Sequence, residues 1–179
     1  SPMSRGLGDV YKRQGLFLSS LRRVKSKKEI QLMKKGCEIS AQAHKAAMQF
    51  VAPNMNEQSL EAFYLYKFAE QGSRFPAYTP IVAGGEHACI LHYVENDQTL
   101  NDGDLVLVDA GGEYECYASD ITRTYPVNGK FSDEQLAVYK VVLEAHKQAI
   151  EAVKTGNHIM QPQEISERVI TEGLSLIHI

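Results

Sequence analysis

The sequence has no excess of positive charge, no long apolar run and too few cysteines for a disulfide framework. Its 179 residues include 19 lysines and arginines against 22 aspartates and glutamates, which gives a net charge of −3. This balance gives no indication of the basic surface that a nucleic-acid-binding protein needs. No apolar run approaches the ~20 residues that a helix needs to cross a bilayer, and the apolar stretch at 15–18 is too short for a signal peptide. We therefore expect neither nucleic acid nor a membrane as a partner.

The three cysteines, Cys37, Cys89 and Cys116, are odd in number and widely spaced. That pattern fits a reducing compartment, so we expect a cytoplasmic protein. Hydrophobic residues make up 44% of the chain and charged residues 23%. This composition is that of one ordinary globular domain.

The two ends of the chain differ in character from the rest. Residues 9–14 and 174–179 resemble translated sequencing-adapter sequence. We therefore expect an artefactual or disordered leader at 1–15, an artefactual tail at 174–179, and a genuine protein segment at 16–173.

Helical and extended patterns follow one another in an order typical of an α+β domain. Ser26 and Glu29 form a capping-box pattern ahead of a helical apolar period, and Pro53 ends that helix. Leu105–Val108 is apolar on both faces, which predicts a strand at the centre of a sheet. The other predicted elements are helices at 56–72, 132–154 and from about 163, and strands at 79–83, 89–94 and 117–125. A helix pair, a sheet and then further helices make an α+β domain.

Asp109 and Asp120 lie on two strands that the sequence predicts to pair as a hairpin. If the hairpin is symmetric about Tyr114 and Glu115, Asp109 lies directly opposite Asp120, on the same face, with Cβ atoms ~4.5–5.5 Å apart. The other pairs of this register are Leu107 with Thr122 and Leu105 with Thr124. Two carboxylates that close repel each other unless one is protonated or a cation lies between them. The spacing alone leaves open that Asp109 ends its strand and Asp120 caps a turn, since two carboxylates are too few for a complete metal site.

Four segments between residues 76 and 131 carry a specific resemblance. They are PAYTPIVAGGEHACILHY (76–93), ILHYVEN (90–96), DGDLVLVDAGGEY (102–114) and SDITRTYPVNGKF (119–131). In this order and spacing they resemble the catalytic domain of Xaa-Pro aminopeptidases (aminopeptidase P) and prolidases, and the resemblance extends more weakly from Val24 to about Gly156. It implies the pita-bread (creatinase/aminopeptidase) fold, with only the first half of the catalytic domain present, so that 16–173 is a partial peptidase domain.

The resemblance implies roles for three residues. Asp109 matches a terminal metal ligand, and Asp120 matches the aspartate that bridges two metal ions. His92 matches the active-site histidine that holds substrate or stabilises the tetrahedral intermediate; without the resemblance it would be interpreted as a satisfied histidine inside a strand. Glu86 and His87 lie where the family varies, and we expect them in a surface loop.

The family's other three metal ligands, a histidine and two glutamates, have no counterpart after Gly156. His178 lies in the tail and lacks the glycine-rich context of the family histidine. His44, His146 and His158 match no motif, and we expect them to be exposed or partly buried helix residues. The chain as written is therefore expected to be an inactive fragment of an active parent.

The chemistry that the resemblance implies is removal of the N-terminal residue from peptides with proline in second position, by attack of a metal-bridging hydroxide. It implies two divalent ions, Mn²⁺ above all because the ligation is oxygen-rich, with Co²⁺, Zn²⁺ or Fe²⁺ as alternatives. It also implies a peptide substrate and a homo-oligomeric parent.

Two other functions stay open: a prolidase, which cuts Xaa-Pro dipeptides, and a non-catalytic pita-bread module that binds partners. The residue sequences of the motifs ILHYVEN and DITRTYPVNGKF favour aminopeptidase P over the prolidase. The presence of both Asp109 and Asp120 argues against the binding module.

Overall fold

The structure, a computed structural model, describes residues 15–176. The predicted leader, apart from Gly15, and the end of the predicted tail lie outside the described residues. Five helices and six strands make up the described part. The helices are α1 (15–23), α2 (Lys27–Phe50), α3 (Glu57–Glu70), α4 (Asp133–Glu151) and α5 (Gln161–Leu176). The strands are β1 (Phe75–Pro76), β2 (Ile81–Gly84), β3 (Leu105–Asp109), β4 (Gly112–Tyr114), β5 (Tyr117–Ala118) and β6 (Thr122–Pro126), and a 3₁₀ helix (Gly85–Cys89) follows β2.

The helices begin where the sequence places their caps. Ser26 and Glu29 form the predicted capping box of α2, with the serine hydroxyl accepting from the Glu29 amide and the glutamate accepting from the Ser26 amide. Ser132 and Gln135 cap α4 in the same way. Asn56 accepts from the backbone of the first turn of α3. The helix predictions are therefore confirmed.

The strands form two small antiparallel sheets, one in the order β2-β3-β6 and the other in the order β1-β4-β5. The prediction that Leu105–Val108 lies centrally is confirmed, because β3 pairs with β2 on one side and with β6 on the other. The predicted strand at 117–125 is interrupted at 119–121, where the hairpin passes from one sheet to the other. The predicted strand at 89–94 is wrong, since the 3₁₀ helix ends at Cys89 and a turn follows.

The core lies between the β2-β3-β6 sheet and the α2–α3 helix pair. Val106 and Val108 point from β3 into this core and are fully buried beside Leu60 and Phe68. The opposite face of the sheet, which carries Leu107, borders a cavity of about 650 Å³ that is otherwise lined mainly by α4 and α5. None of the helices within residues 15–176 is long and apolar enough to cross a membrane.

Candidate active site

The two aspartates lie on one hairpin, but its register differs from the predicted one. Asp109 pairs with Thr122, two residues away from the expected partner Asp120. The other observed pairs are Leu107 with Thr124 and Leu105 with Pro126, in place of the expected Thr122 and Thr124. The reason is the turn, which is formed by Glu115 and Cys116 rather than Tyr114 and Glu115. Both turn residues have positive φ, 51° and 68°, as a two-residue type I′ hairpin turn requires.

The displaced register still brings the two carboxylates to one face of the hairpin. The backbone hydrogen bonds from Ala110 to Ile121 and from Ser119 to Gly112 continue the β3–β6 register through the interruption. Asp120 therefore lies two positions from Thr122 on the same face, and hence on the face of Asp109. The two carboxylates are diagonal rather than directly opposed neighbours. The Tyr78 hydroxyl bridges the gap, with its oxygen 2.5 Å from Asp109 Oδ1 and 3.1 Å from Asp120 Oδ1.

Tyr78 is a residue of this cavity that the sequence did not single out, although it lies inside the motif PAYTP at 76–80. Its phenol is half-buried and donates its single proton to the carboxylate pair. Burial raises the pKa of Tyr78 well above its usual range, and the hydrogen bond and negative charge of Asp109 raise it further. The phenol therefore stays protonated at neutral pH and supplies a donor between two acceptors.

The donor set fits part of a site for a hard divalent cation. Asp109 is half-buried and Asp120 exposed, and their oxygens converge at one point, as carboxylate ligands of such an ion do. Both residues line a cavity of about 370 Å³ together with Tyr78 and His92. Within residues 15–176 no group of three or more histidine, cysteine, aspartate or glutamate side chains is arranged to hold a metal ion. The described residues thus offer two convergent ligands.

His92 reaches this cavity from a turn and not from a strand. Its φ is +57°, in the left-handed region that non-glycine residues adopt only where the surroundings hold them. The side chain is exposed and also lines a neighbouring cavity of about 320 Å³ that includes Ile81, Leu107 and Asp109. The interpretation as a satisfied histidine inside a strand is therefore wrong, and the fold places His92 beside the aspartates.

The backbone behind the aspartates is held by buried hydrogen bonds to helix α2. The Ser40 hydroxyl lies 2.7 Å from the Ser119 hydroxyl and accepts from the Gly112 amide at 2.9 Å. At Gly111 the strands approach so closely that an added Cβ would lie 1.8 Å from the Ser119 carbonyl oxygen. Only glycine fits there, which explains the first glycine of the Ala-Gly-Gly run after Asp109.

His44, expected to be exposed or partly buried, is in fact buried behind the same hairpin. Its Nε2 lies 3.0 Å from the carbonyl oxygen of Ala110, the residue that follows Asp109. Its Nδ1 lies 3.0 Å from the Tyr64 hydroxyl, which in turn lies 3.2 Å from the Tyr125 hydroxyl. The helical spacing around His44 could not predict its contact with Ala110, because the two residues are 66 positions apart. His146 is an exposed residue of α4, as expected, whereas His158 is exposed but lies between α4 and α5 and not in a helix.

The chain matches a family profile and several known proteins. The sequence profile described as metallopeptidase family M24 matches residues 31–178. The chain is 52% identical over 158 residues to an Xaa-Pro aminopeptidase of Haemophilus influenzae, covering 88% of this chain and 37% of the relative. It is 44% identical over 154 residues to the Xaa-Pro aminopeptidase of Escherichia coli, covering 86% of this chain and 35% of the relative.

Solved structures show the same fold. The aminopeptidase PepP of Pseudomonas aeruginosa superposes with a TM-score of 0.86 at 49% identity, over 88% of this chain and 36% of that one. Zinc-substituted Escherichia coli aminopeptidase P in complex with product gives a TM-score of 0.85 at 43% identity, over 87% and 36%. The predicted α+β pita-bread fold is therefore confirmed for the part that this chain contains. The chain spans about a third of the length of these relatives.

Proposed function

Because this chain belongs to metallopeptidase family M24, we propose that it supplies two metal ligands and the active-site histidine of an Xaa-Pro aminopeptidase. The observation that carries the proposal is the convergence of Asp109 and Asp120 on the Tyr78 hydroxyl, in a cavity that His92 also lines. The high identity to proteins named Xaa-Pro aminopeptidase supports it. Residues 16–173 are then part of a peptidase catalytic domain.

Asp109 and Asp120 are the residues of this chain that would hold divalent metal ions, Mn²⁺ by preference because carboxylate oxygens suit it. When bound, such ions lower the pKa of a coordinated water and polarise the peptide carbonyl. The half-buried Asp109 at the end of β3 and the more exposed Asp120 approach from two strands that are fixed by the Ala110–Ile121 backbone hydrogen bond. That fixed backbone pre-orients both carboxylates.

The remaining roles in this cavity belong to hydrogen-bond donors. Tyr78 keeps its proton and orients both carboxylates from one side. His92 is exposed to the cavity and can donate from its ring to a substrate carbonyl. The proposed substrate is a peptide with proline in second position, from which the N-terminal residue is released.

A prolidase acting on Xaa-Pro dipeptides is the second candidate function, because the motif SDIT at 119–122 is shared with that branch. We favour a cytoplasmic location, since Cys37, Cys89 and Cys116 are all free and exposed. A homo-oligomeric parent remains part of the proposal.

The test uses a chimaeric enzyme, called the joined enzyme. In it, this chain replaces the matching segment of the Haemophilus influenzae relative and is joined to the remaining two thirds of that protein. The joined enzyme should release the first residue of an Xaa-Pro-Xaa peptide in the presence of Mn²⁺. Asp109→Asn and Asp120→Asn should each lower kcat/KM by about a hundredfold or more, since even residues that only support a ligand are worth 10–100-fold. Asp133→Asn, an exposed aspartate at the start of α4, is the matched control and should leave the rate unchanged.

Three outcomes decide between the candidates. Cleavage of Xaa-Pro dipeptides in preference to longer peptides would favour the prolidase. An inactive joined enzyme that folds and still binds peptides would favour the binding module. Full activity of both asparagine variants would refute the assignment of the ligands.

A further inference from the structure

Glu57, the first residue of α3, is a fully buried carboxylate outside the cavity that the aspartates line. A buried carboxylate is costly unless several donors surround it. Three hydrogen-bond donors lie within 3.0 Å of the carboxylate oxygens of Glu57. Oε1 accepts from the Gly84 amide at 2.8 Å, and Oε2 accepts from the Tyr93 hydroxyl at 2.8 Å and the Gln98 amide at 3.0 Å.

These donors come from one stretch of chain. We call residues 85–98 the His92 segment, because it carries His92 and connects β2 to the loop before β3. Gly84 immediately precedes the segment, Tyr93 directly follows His92, and Gln98 ends the segment. One carboxylate therefore holds the residue just before the segment, the residue that follows His92, and the last residue of the segment.

Neighbouring contacts act on the same stretch. The His87 ring stacks on the Tyr93 ring at a centroid distance of 5.0 Å, and its Nδ1 lies 3.6 Å from Glu57 Oε1. Asn96 is buried and donates to Glu61, one turn further along α3, at 3.0 Å. Glu86 and His87, expected in a surface loop, lie in the 3₁₀ helix instead; Glu86 is exposed, and the His87 side chain is 27% exposed.

The segment needs such an anchor because its backbone is not regular. His92 and Asn96 both have positive φ, 57° and 48°, and the residues from Ile90 to Gln98 belong to no helix or strand. A left-handed non-glycine residue persists only where its surroundings over-determine it. Tyr93, adjacent to His92, is the buried side chain nearest to that residue in the sequence, and its hydroxyl is bound to Glu57.

We propose that Glu57 is a positioning residue, which fixes the orientation of His92 by holding the His92 segment through Gly84, Tyr93 and Gln98. The inference depends on the proposed function in one respect, namely that His92 takes part in catalysis. The anchoring itself is independent of that role. Glu57→Gln keeps the shape but places an amide N–H against hydrogen-bond donors, which breaks at least one of the three bonds.

Amide hydrogen exchange on the full 179-residue chain tests the anchoring. Glu57→Gln should speed exchange of the amides at 84–98 by roughly tenfold to a hundredfold, as expected for a lost hydrogen bond to a charged group. Exchange in β3 should stay within about threefold of wild type. Tyr93→Phe removes one donor without burying an unpaired charge, and should speed exchange in the same residues by a smaller factor.

Glu70→Gln is the matched control, because it makes the same chemical change on the same helix at an exposed carboxylate paired with Lys67. It should leave exchange at 84–98 unchanged. If Glu57→Gln unfolds the chain, the exchange rates at 84–98 in Tyr93→Phe alone decide whether the anchoring exists. Unchanged exchange at 84–98 in Tyr93→Phe, and in Glu57→Gln where it folds, would overturn the inference.

The joined enzyme described above separates positioning from general stability. Glu57→Gln should lower kcat at least tenfold while Mn²⁺ affinity stays within about twofold, because none of the three groups that donate to Glu57 lies on the β3–β6 hairpin that carries Asp109 and Asp120. Equal loss of kcat and metal affinity would overturn the positioning role. If the joined enzyme with the unaltered segment is inactive, the proposed function fails, and the exchange experiment still decides the anchoring.

Discussion

His44 gives a stability test that uses the buried side of the aspartate hairpin. The ring is 3% exposed and can bond to Ala110 only by donating from Nε2, since a carbonyl oxygen only accepts. In the neutral ring Nδ1 then accepts from the Tyr64 hydroxyl. Burial lowers the pKa of His44, and the nearby charge of Arg123 lowers it further, against the opposing effect of the Ala110 hydrogen bond.

The sign of the pH dependence follows from that lowered pKa. In the unfolded chain His44 takes up a proton below its ordinary pKa of about 6.5, whereas the native ring resists protonation. The unfolded state therefore binds more protons in acid, and the stabilisation is present above pH 6.5 and lost as the pH falls below it. The loss reaches about 1.4 kcal/mol between pH 7.5 and 5.5 for a ring that stays neutral in the native state throughout.

The assay is urea unfolding at low micromolar chain concentration, at pH 7.5, 6.5 and 5.5. With an m-value of about 2 kcal/mol per molar urea, the midpoint should fall by about 0.7 M more in wild type than in His44→Gln. The variant should also lose about 1–3 kcal/mol at pH 7.5, because the Tyr64 hydroxyl loses its acceptor. His146→Gln, an exposed histidine on α4, is the control and should follow wild type. An identical pH slope in wild type and His44→Gln would refute the reasoning.

Three further predictions concern the hairpin, the incomplete set of metal ligands and the exposed apolar residues of α4. Gly111→Ala should destabilise the chain by about 3 kcal/mol or more, since its Cβ meets the Ser119 carbonyl, whereas Gly15→Ala, in open space, should leave the urea midpoint unchanged. The isolated 179-residue chain with Mn²⁺ should show no release of amino acid from Xaa-Pro peptides; robust turnover would contradict the need for further ligands. The chain should bind a hydrophobic dye and self-associate at high concentration, because Val142 and Ile150 on α4 are exposed; a monodisperse monomer without dye binding would contradict this.

Local sequence signals predicted the helices because each signal acts within a few residues. The capping boxes at Ser26 and Ser132 join residues three apart, so the start of each helix can be read from the sequence alone. The central position of β3 was predictable for a similar reason, since its apolar residues occupy both faces. The fold family and the identities of the candidate ligands came from motif resemblance and not from these patterns.

The contacts that organise the candidate site are long-range and left no local signal. Tyr78 meets the aspartates across 31 and 42 residues, and Glu57 meets Tyr93 across 36. Glu57 stands where a helix often has an acidic residue in its first turn, so its sequence context indicates an exposed dipole partner. Only the folded chain shows that the same carboxylate is buried and accepts from three donors.

The hairpin shows why a prediction with the wrong register still gave the right face. Moving the turn to Glu115 and Cys116 changes every cross-strand partner by two residues, and an even change keeps each side chain on its original face. A change by one would have sent Asp120 to the opposite side of the sheet. The two-residue shift does alter the distance, since diagonal neighbours are further apart than direct partners. In the observed register the Tyr78 hydroxyl lies within hydrogen-bond distance of both carboxylates.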